Sequence, residues 1–359
     1  MNKSPDVVLQ RLLEESSLLS SSQCIDPLLL KNMLARHYGL SGHVERVGSE
    51  KGHTFRLKTS ANEFLVKVSP SDEPEPVTAL QIATMRYLDD VAHALPIQRI
   101  KSTLDNRDGV PFDLGDGTSR TLSVFCFVEG LLWEHMHANV EQLTRAGDML
   151  GRVNMALRLF GHPAAARSLV YDIRHFPHWA GLVECAPDPK HRLLAQRVFK
   201  LFEEVVLPRL PSLDMQVIHG DYAPNNVVVD PQSDVFVKAI LDFGDTVHSA
   251  VIFDPANPVA HLVGRTQDHP WQDAFAFVAG YEQSRPINGS ELPALPVAAL
   301  ARLTMLALIR HWKAERAPDQ REELLASAEY YWTNLQRAMA VPLDDIIAGF
   351  RRRVGDPGT

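Results

Sequence analysis

The chain of 359 residues predicts an α+β protein with two lobes, a small antiparallel sheet followed by a mostly helical region. Two observations favour this class. Apolar residues alternate with a period of two in short runs between residues 42 and 68 and again at 121–128, as in β-strands. Beyond Gly130 the apolar spacing is helical, apart from a hairpin pattern at 227–241. We therefore expect an N-terminal lobe of residues 1–128 and a C-terminal lobe of residues 129–359.

Composition and charge limit the class of protein. A hydrophobic fraction of 45% and a charged fraction of 22% are typical of a soluble globular chain. The net charge of −8 disfavours nucleic acid and anionic membranes as partners and tolerates a cationic substrate. Three widely spaced cysteines predict a reducing compartment, and acidic residues near the N-terminus argue against a signal peptide, so we expect a cytoplasmic protein. The longest apolar run, 297–309, contains Arg302 and is too short to span a membrane.

The first elements follow in order. Valines and leucines at helical spacing predict an amphipathic helix over residues 5–19. A second helix is predicted from Asp26 to Tyr38. Asp26 is a favourable N-cap residue, Pro27 is favourable at the first helical position, and Gly39 is typical of a helix end. Alternating patterns predict strands at 44–47, 54–57 and 64–68.

A short glycine-containing loop joins the first two of these strands. Gly48, Ser49 and Gly52 belong to Gly-Ser-Glu-Lys-Gly, in which glycines would let backbone N–H groups approach phosphate oxygens. A plain hairpin turn is the alternative interpretation. Lys67 is the single charge in the third strand, and a lysine there is costly to bury unless an anion lies beside it. An outward lysine on a half-exposed strand is its alternative.

The remaining pattern is a helix at 77–92, a strongly apolar strand at 121–128, and then helices. The apolar strand carries Phe125 and Phe127 and ends at Glu129 and Gly130. Helical spacing predicts further helices at 143–160, 191–207, 271–283, 296–317, 321–339 and 343–354.

Most of the candidate catalytic and metal-binding residues lie in residues 217–245. A β-branched run at 227–229 and an apolar run at 235–241 flank Pro-Gln-Ser-Asp, which is turn chemistry, so they predict an antiparallel hairpin. Asn226 and Asp242 would then lie at the same end of the hairpin. Two oxygen ligands on a rigid hairpin suit Mg²⁺, which keeps waters or phosphate oxygens in its remaining positions. Asp221, on the preceding loop, would be free to act as a base.

These residues form a recognisable pair of motifs. His219-Gly220-Asp221 is followed by Asn226 five residues after the aspartate, and Asp242-Phe243-Gly244-Asp245 comes next. The pair resembles the aminoglycoside phosphotransferase and choline kinase superfamily, small-molecule relatives of protein kinases. The segments around Gln216, Ile240 and Tyr171 resemble its hydroxylysine kinase-like branch most closely. The resemblance implies a bilobal protein-kinase-like fold.

The same resemblance implies roles for the residues. Asp221 would take the proton of the acceptor hydroxyl, and Asn226 and Asp242 would bind Mg²⁺. Lys67, the 48–52 loop, His219 and the hinge residues Phe125 and Phe127 would bind ATP or GTP. The glutamate that kinases use to pin the strand lysine is missing from its expected helix, where Glu75 or Gln81 could replace it.

The acceptor is less constrained. The branch implies a hydroxylated amine or amino acid; an aminoglycoside, choline or homoserine-type alcohol is the second possibility, and a nucleotide-binding pseudokinase the third. The donor base, the oligomeric state and the pathway stay open. The candidate acceptor-side residues are Asp245, His248, Asp254, Arg174, Arg310 and Trp312, with Asp245 and Asp254 having turn-capping or N-cap alternatives.

Overall fold

The computed structural model describes residues 7–16, 25–48, 52–118, 120–266 and 268–353. An antiparallel sheet occupies the N-terminal part, and helices surround two smaller sheets in the C-terminal part. The strands are β1 (His43–Val47), β2 (His53–Lys58), β3 (Glu63–Val68), β4 (Ile100–Lys101), β5 (Val110–Phe112), β6 (Arg120–Cys126), β7 (Leu131–Leu132), β8 (Met215–Ile218), β9 (Val227–Val229), β10 (Val237–Ile240) and β11 (Val247–Ala250).

Apart from α6 (Phe253–Leu262), the helices follow the expected order with small changes of boundary. They are α1 (Val7–Glu14), α2 (Pro27–Tyr38), α3 (Glu75–Val91), α4 (Val140–Leu157), α5 (Pro189–Leu201), α6 (Phe253–Leu262), α7 (Gln272–Ser284), α8 (Glu291–Ala314), α9 (Arg321–Ala338) and α10 (Leu343–Arg351). Cap chemistry sets the bounds of α2, because the Asp26 side chain accepts a hydrogen bond from the Leu28 N–H and Gly39 adopts the left-handed conformation. These caps confirm the sequence prediction.

The large sheet has the strand order β1-β2-β3-β6-β4, and β5 also pairs with β6. Lys67 of β3 faces Ser123 of β6 in this register. A second sheet, β10-β9-β7, contains the predicted hairpin, in which Ile240 pairs with Val227. The Ile240 N–H donates to the carbonyl of Pro96, which attaches the hairpin to the segment leading into β4. The hairpin therefore has a fixed position beneath the large sheet.

The sequence pattern missed two features near the site. One is α6, which the sequence suggested only through an N-cap alternative for Asp254; Pro258 lies inside this helix, where proline is unfavourable. The other is the antiparallel pairing of β8 with β11, in which Ile218 faces Val247, a residue far from it in the sequence. Both elements are held by packing with the rest of the lobe, as shown by the fully buried residues of α6.

Helices α4 and α7 cross at very short range. A Cβ atom on Gly280 would lie 1.8 Å from the carbonyl oxygen of Thr144, and one on Gly147 would lie 1.9 Å from that of Phe277. Both obstacles are backbone atoms, which cannot rotate away. The two glycines therefore permit a contact between helix backbones that a side chain would block.

We expect Gly280→Ala to lower the free energy of unfolding by about 1–3 kcal/mol, because the added methyl group would push α4 and α7 apart. Chemical denaturation followed by circular dichroism measures this loss. Gly161→Ala is the matched control, since a Cβ atom there meets no other atom within 4 Å. Equal stability of the two variants would contradict the close packing of the helices.

Helix α8 is the central helix of the C-terminal core. In the described part of the chain it is the one helix long and apolar enough to cross a membrane, with 24 residues and a mean hydropathy of 1.9, whereas no run of that length was expected. Its apolar window is 94% buried inside the protein, as in the core helix of a globular protein. Arg302 lies within this buried helix and donates to Asp221 in the loop of residues 219–226 between β8 and β9 (the catalytic loop).

Candidate active site

The hairpin brings the two expected metal ligands together. Leu241 donates its N–H to the carbonyl of Asn226 at 2.8 Å, immediately beyond the last paired residues of β9 and β10. Asn226 and Asp242 therefore lie at the same end of the hairpin, as the spacing predicted. Asp242 has a φ of 56°, and its Oδ1 accepts the N–H of Gly244. This turn directs the carboxylate toward the large sheet.

Asp221 lies on the loop between β8 and β9 and is surrounded by donors. Its Oδ2 accepts the side-chain amide of Asn226 at 2.7 Å, and its Oδ1 accepts Asn257 at 3.1 Å and Arg302 at 2.9 Å. The side chain remains 23% exposed. Asp221 is thus held in one orientation while a face of its carboxylate stays accessible.

The electrostatics of the two aspartates differ. Burial raises the pKa of Asp221, and the Arg302 charge opposes that rise while the Asp245 charge adds to it. For Asp242, the nearby Lys67 ammonium lowers the pKa against the effect of burial. A base of increased proton affinity therefore lies beside a carboxylate that is held ionised, a pairing suited to proton abstraction next to a cation site.

Lys67 contacts Asp242 directly. Its Nζ lies 3.2 Å from Asp242 Oδ2 and 5.8 Å from the centre of the Phe125 ring. Among the described residues, the carboxylate paired with this lysine is that of Asp242, just beyond β10, and not that of Glu75 in α3. Lys67 consequently lies at the site, where the sequence predicted an anion.

Residues 43–287 match the phosphotransferase enzyme family. This segment includes the catalytic loop, the hairpin and Lys67. The chain belongs to that family. It is a phosphotransferase that acts on a hydroxyl group, which confirms the resemblance drawn from the two motifs.

Individual relatives extend this result. The phosphotransferase is 24% identical over 341 residues to hydroxylysine kinase of Danio rerio, covering 91% of this chain and 94% of that protein. It is 29% identical over 267 residues to homoserine kinase of Caulobacter sp., with coverage of 68% and 72%. The solved structure of a microcompartment-associated aminopropanol kinase superposes with a TM-score of 0.70 at 16% identity, covering 91% of this chain and all of that one. The fold is the bilobal protein-kinase-like fold expected from the sequence.

The phosphotransferase would hold Mg²⁺ through an amide and a carboxylate. The side-chain NH₂ of Asn226 points to Asp221, so its amide oxygen points away from that residue. Among the described residues, no group of three or more His, Cys, Asp or Glu side chains is arranged to hold a metal ion. A donor set of two oxygens fits Mg²⁺, which commonly takes one or two protein ligands with phosphate and water completing its shell.

Asp254 does not have the substrate role expected of it. Its side chain is fully buried and accepts three hydrogen bonds, from Asn154 Nδ2 (2.6 Å), the His219 N–H (3.2 Å) and the Gly220 N–H (2.9 Å). It is inside α6 and so does not cap that helix either. Asp254 fixes the start of the catalytic loop by accepting the N–H groups of His219 and Gly220. The local Asp-Pro pattern did not indicate this role.

His219 is also structural, because its burial leaves no exposed surface for the nucleotide contact expected of it. Its ring is fully buried, with Nε2 3.0 Å from the carbonyl oxygen of Leu241 and Nδ1 3.2 Å from the Asp221 N–H. These bonds join the catalytic loop to the end of the hairpin. Gly220 follows with a φ of 80°, where a Cβ atom would lie 2.2 Å from the Asp245 carbonyl oxygen, so only glycine fits between the two loops.

The hinge differs in detail from the expectation. The N–H groups of Cys126 and Phe127 already donate to the carbonyls of Arg99 and Glu63, so neither is available to a nucleotide base. The Phe127 ring lies under the Arg56 guanidinium, 4.2 Å from it, whereas Phe125 is buried on the Lys67 side. Phe125 therefore lies beside Lys67 and its nucleotide contact stays a prediction, whereas the Phe127 N–H is not free to bind the base.

The 48–52 loop is described only at its ends. Gly48 directly follows β1, and Gly52 precedes β2 with a φ of 65°. Ser49 lies outside the described residues, so its predicted phosphate contact stays a prediction.

The remaining acceptor-side candidates divide into near and distant residues. Asp245 is close enough to Asp221 for its charge to raise the pKa of that group. Arg174 forms an ion pair of 2.6 Å with Asp172, and His248 is exposed on β11. Trp312 is buried ten residues beyond Arg302 on α8, about 15 Å of helix away, so it does not line the reaction centre.

Two arginines at the site were not among the predicted functional residues. Arg302 is almost completely buried, contacts Asp221, donates to the Tyr171 carbonyl and lies 4.7 Å above the Tyr171 ring. Arg167 donates to the carbonyls of Gly244 and Thr246 and so secures the loop that follows Asp242. The sequence contains one indication that Arg302 has a special role, because this residue is a single charge inside a strongly apolar run. It contains no such indication for Arg167.

Proposed function

We propose that this phosphotransferase transfers the γ-phosphoryl group of ATP or GTP to a hydroxyl of an amino alcohol or hydroxylated amino acid, in the cytoplasm. The observation that carries the proposal is the convergence of Asp221, Asn226, Asp242 and Lys67 at one end of the hairpin. The hydroxylysine, homoserine and aminopropanol kinases among its relatives support a small aminated acceptor.

Each residue has a distinct task in this proposal. Lys67 binds phosphate oxygens, and Asn226 and Asp242 hold Mg²⁺, which when bound neutralises charge on the phosphates. Asp221 accepts a hydrogen bond from the acceptor hydroxyl and takes its proton. The donors on Asp221 fix its direction, which matters because positioning and electrostatics supply most of the catalysis in phosphoryl transfer.

Homoserine is a second candidate acceptor beside hydroxylysine, favoured by the Caulobacter relative. An acceptor panel separates the candidates: 5-hydroxylysine, homoserine, simple amino alcohols, choline and an aminoglycoside, each with ATP and GTP. Release of nucleoside diphosphate is the measurement, and we expect it with at least one amino alcohol or hydroxylated amino acid. Nucleotide binding without release for any acceptor would support a pseudokinase instead.

A further inference from the structure

A second cleft opens on the C-terminal part of the protein, and none of its lining residues belongs to the set that meets at Asp221. Its volume is about 370 Å³, which is the size of a small-molecule site. One wall is a face of α9, and the other is formed by the segments that follow β7 and α6. The lining includes His137, Arg265, Glu329, Tyr330, Asn334 and Arg337.

A close backbone contact joins the two walls. Gly264 has a φ of 76°, and a Cβ atom there would lie 2.4 Å from the carbonyl oxygen of Asn334, so the chain that follows α6 fits against α9 only as glycine. Arg265 comes directly after this glycine, and Arg337 Nη1 donates to the Gly264 carbonyl at 3.2 Å. The two arginines are therefore anchored at the same point of the cleft.

Both arginines are held by neutral acceptors. Arg265 Nη2 lies 3.2 Å from His137 Nδ1, which must accept the N–H because a guanidinium only donates. Burial raises the pKa of Asp273 and the Arg265 charge opposes that rise, so this carboxylate acts on Arg265 at longer range. Within the described part of the chain, however, neither Arg265 nor Arg337 forms an ion pair with a carboxylate. Two positive charges thus lie in the cleft in fixed positions and without a counter-ion in contact.

A polar group in the floor of the cleft also lacks a partner. Asn334 is 3% exposed, and its Nδ2 has no hydrogen-bond acceptor among the residues that the structure describes. A buried donor without an acceptor is unfavourable, and an oxygen atom of a bound anion would satisfy it. The two ends of the amide are nearly equal in size, so a half-turn of the side chain would present the NH₂ group to the cleft.

We propose that this cleft binds a small molecule through an oxyanion, either a carboxylate or a phosphate monoester, which Arg265 and Arg337 hold between them. The planar guanidinium group matches the paired oxygens of both groups. Glu329 lies at the other end of the lining, about 12 Å of helix from Arg337, so the rest of the ligand is neutral or carries an amine. That charge pattern disfavours polyanions such as nucleotides.

The site goes beyond the proposed function, because its ligand is not the acceptor at Asp221. A phosphotransferase that acts on hydroxyl groups releases a phosphate monoester, which belongs to the ligand class of this cleft.

Calorimetry on the full chain at low salt tests the site, since salt screens charges near the surface. The nucleotide site is first filled with Mg²⁺ and a non-hydrolysable ATP analogue, so that phosphate compounds do not bind at Lys67. The probes are phosphoethanolamine and 4-aminobutanoate, which join an amine to a phosphate ester and to a carboxylate, and butylamine, which has no anion. We expect at least one anionic probe to bind about 10-fold or more tightly than butylamine.

Variants locate the binding in the protein. Arg265→Gln and Arg337→Gln should each weaken binding of the anionic probe about 10-fold, while Arg265→Lys should retain most of it because the charge remains. Arg158→Gln is the matched control and should change binding less than about 2-fold, since Arg158 is an exposed arginine directly after α4 that does not line the cleft. The unfolding midpoint of each variant confirms that it is folded, which matters most for Arg337→Gln because Arg337 also binds the Gly264 carbonyl.

Failure of both anionic probes to bind, or binding no tighter than that of butylamine, would overturn the site. Binding that both glutamine variants leave unchanged would overturn it as well, because the anion would then lie elsewhere. Binding that depends on the two arginines supports the site, and the tighter of the two anionic probes then assigns its ligand to phosphate esters or to carboxylates. The readout is binding alone, so it does not depend on which acceptor the enzyme phosphorylates.

Discussion

Asp221→Asn should lower turnover at least about 100-fold while nucleotide binding persists, because the variant loses the group that takes the hydroxyl proton but retains Asn226, Asp242 and Lys67. Asparagine is preferable to alanine here. Arg302 is 4% exposed and donates to Asp221, so alanine would leave a buried guanidinium without its carboxylate. The asparagine side chain keeps an oxygen for that donor.

The measurements are steady-state turnover with the best acceptor and calorimetric binding of the Mg²⁺–nucleotide complex. Asp230→Asn provides a control on the same hairpin, since the Asp230 side chain accepts the Gln232 N–H within the turn and lies at the opposite end of the hairpin from the site. Turnover within a few-fold of the parent enzyme in Asp221→Asn would remove Asp221 from the mechanism.

Asp254→Ala is expected to reduce both stability and turnover. The change leaves three donors without an acceptor: the buried side-chain amide of Asn154, the buried N–H group of His219 and the partly buried N–H group of Gly220. At about 1–3 kcal/mol for each unsatisfied group, the free energy of unfolding should fall by about 3 kcal/mol or more. Turnover should fall with it, because His219 and Gly220 directly precede Asp221.

Chemical denaturation and steady-state kinetics together distinguish this role from substrate binding. Asp113→Ala is the control, because Asp113 also accepts a backbone N–H, that of Gly115, but is exposed. An unchanged unfolding midpoint with only a raised KM for the acceptor would indicate that Asp254 binds the acceptor ammonium after all.

The parts of the site that the sequence predicted correctly depend on neighbours in the chain. The hairpin follows from β-branched runs about a turn, and its register places Asn226 and Asp242 together. The caps at Asp26 and Gly39 depend on bonds across two to five residues. Such features are visible in the sequence because the interacting groups are close along it.

The mistaken expectations involve groups whose partners are distant in sequence. The Asp-Pro step at 254 is a common helix-start pattern, but the buried contacts of Asp254 with Asn154 and the catalytic loop span 100 and 34–35 residues. His219 was placed with the nucleotide because it adjoins the catalytic aspartate, and its burial against Leu241 appears only in the folded lobe. The Phe127 N–H is likewise taken by Glu63 of another strand.

The sequence alone determined the kinase-like fold, the phosphotransferase family, and the convergence of Asp221, Asn226 and Asp242, because their spacing within one loop and one hairpin sets their geometry. Only the tertiary structure decided what holds them in place and what lies around the acceptor. Arg302 reaches Asp221 from 81 residues away, and Asn257 reaches it from 36 residues away. Contacts of that range depend on how α6, α8 and α9 pack, and no local pattern records them.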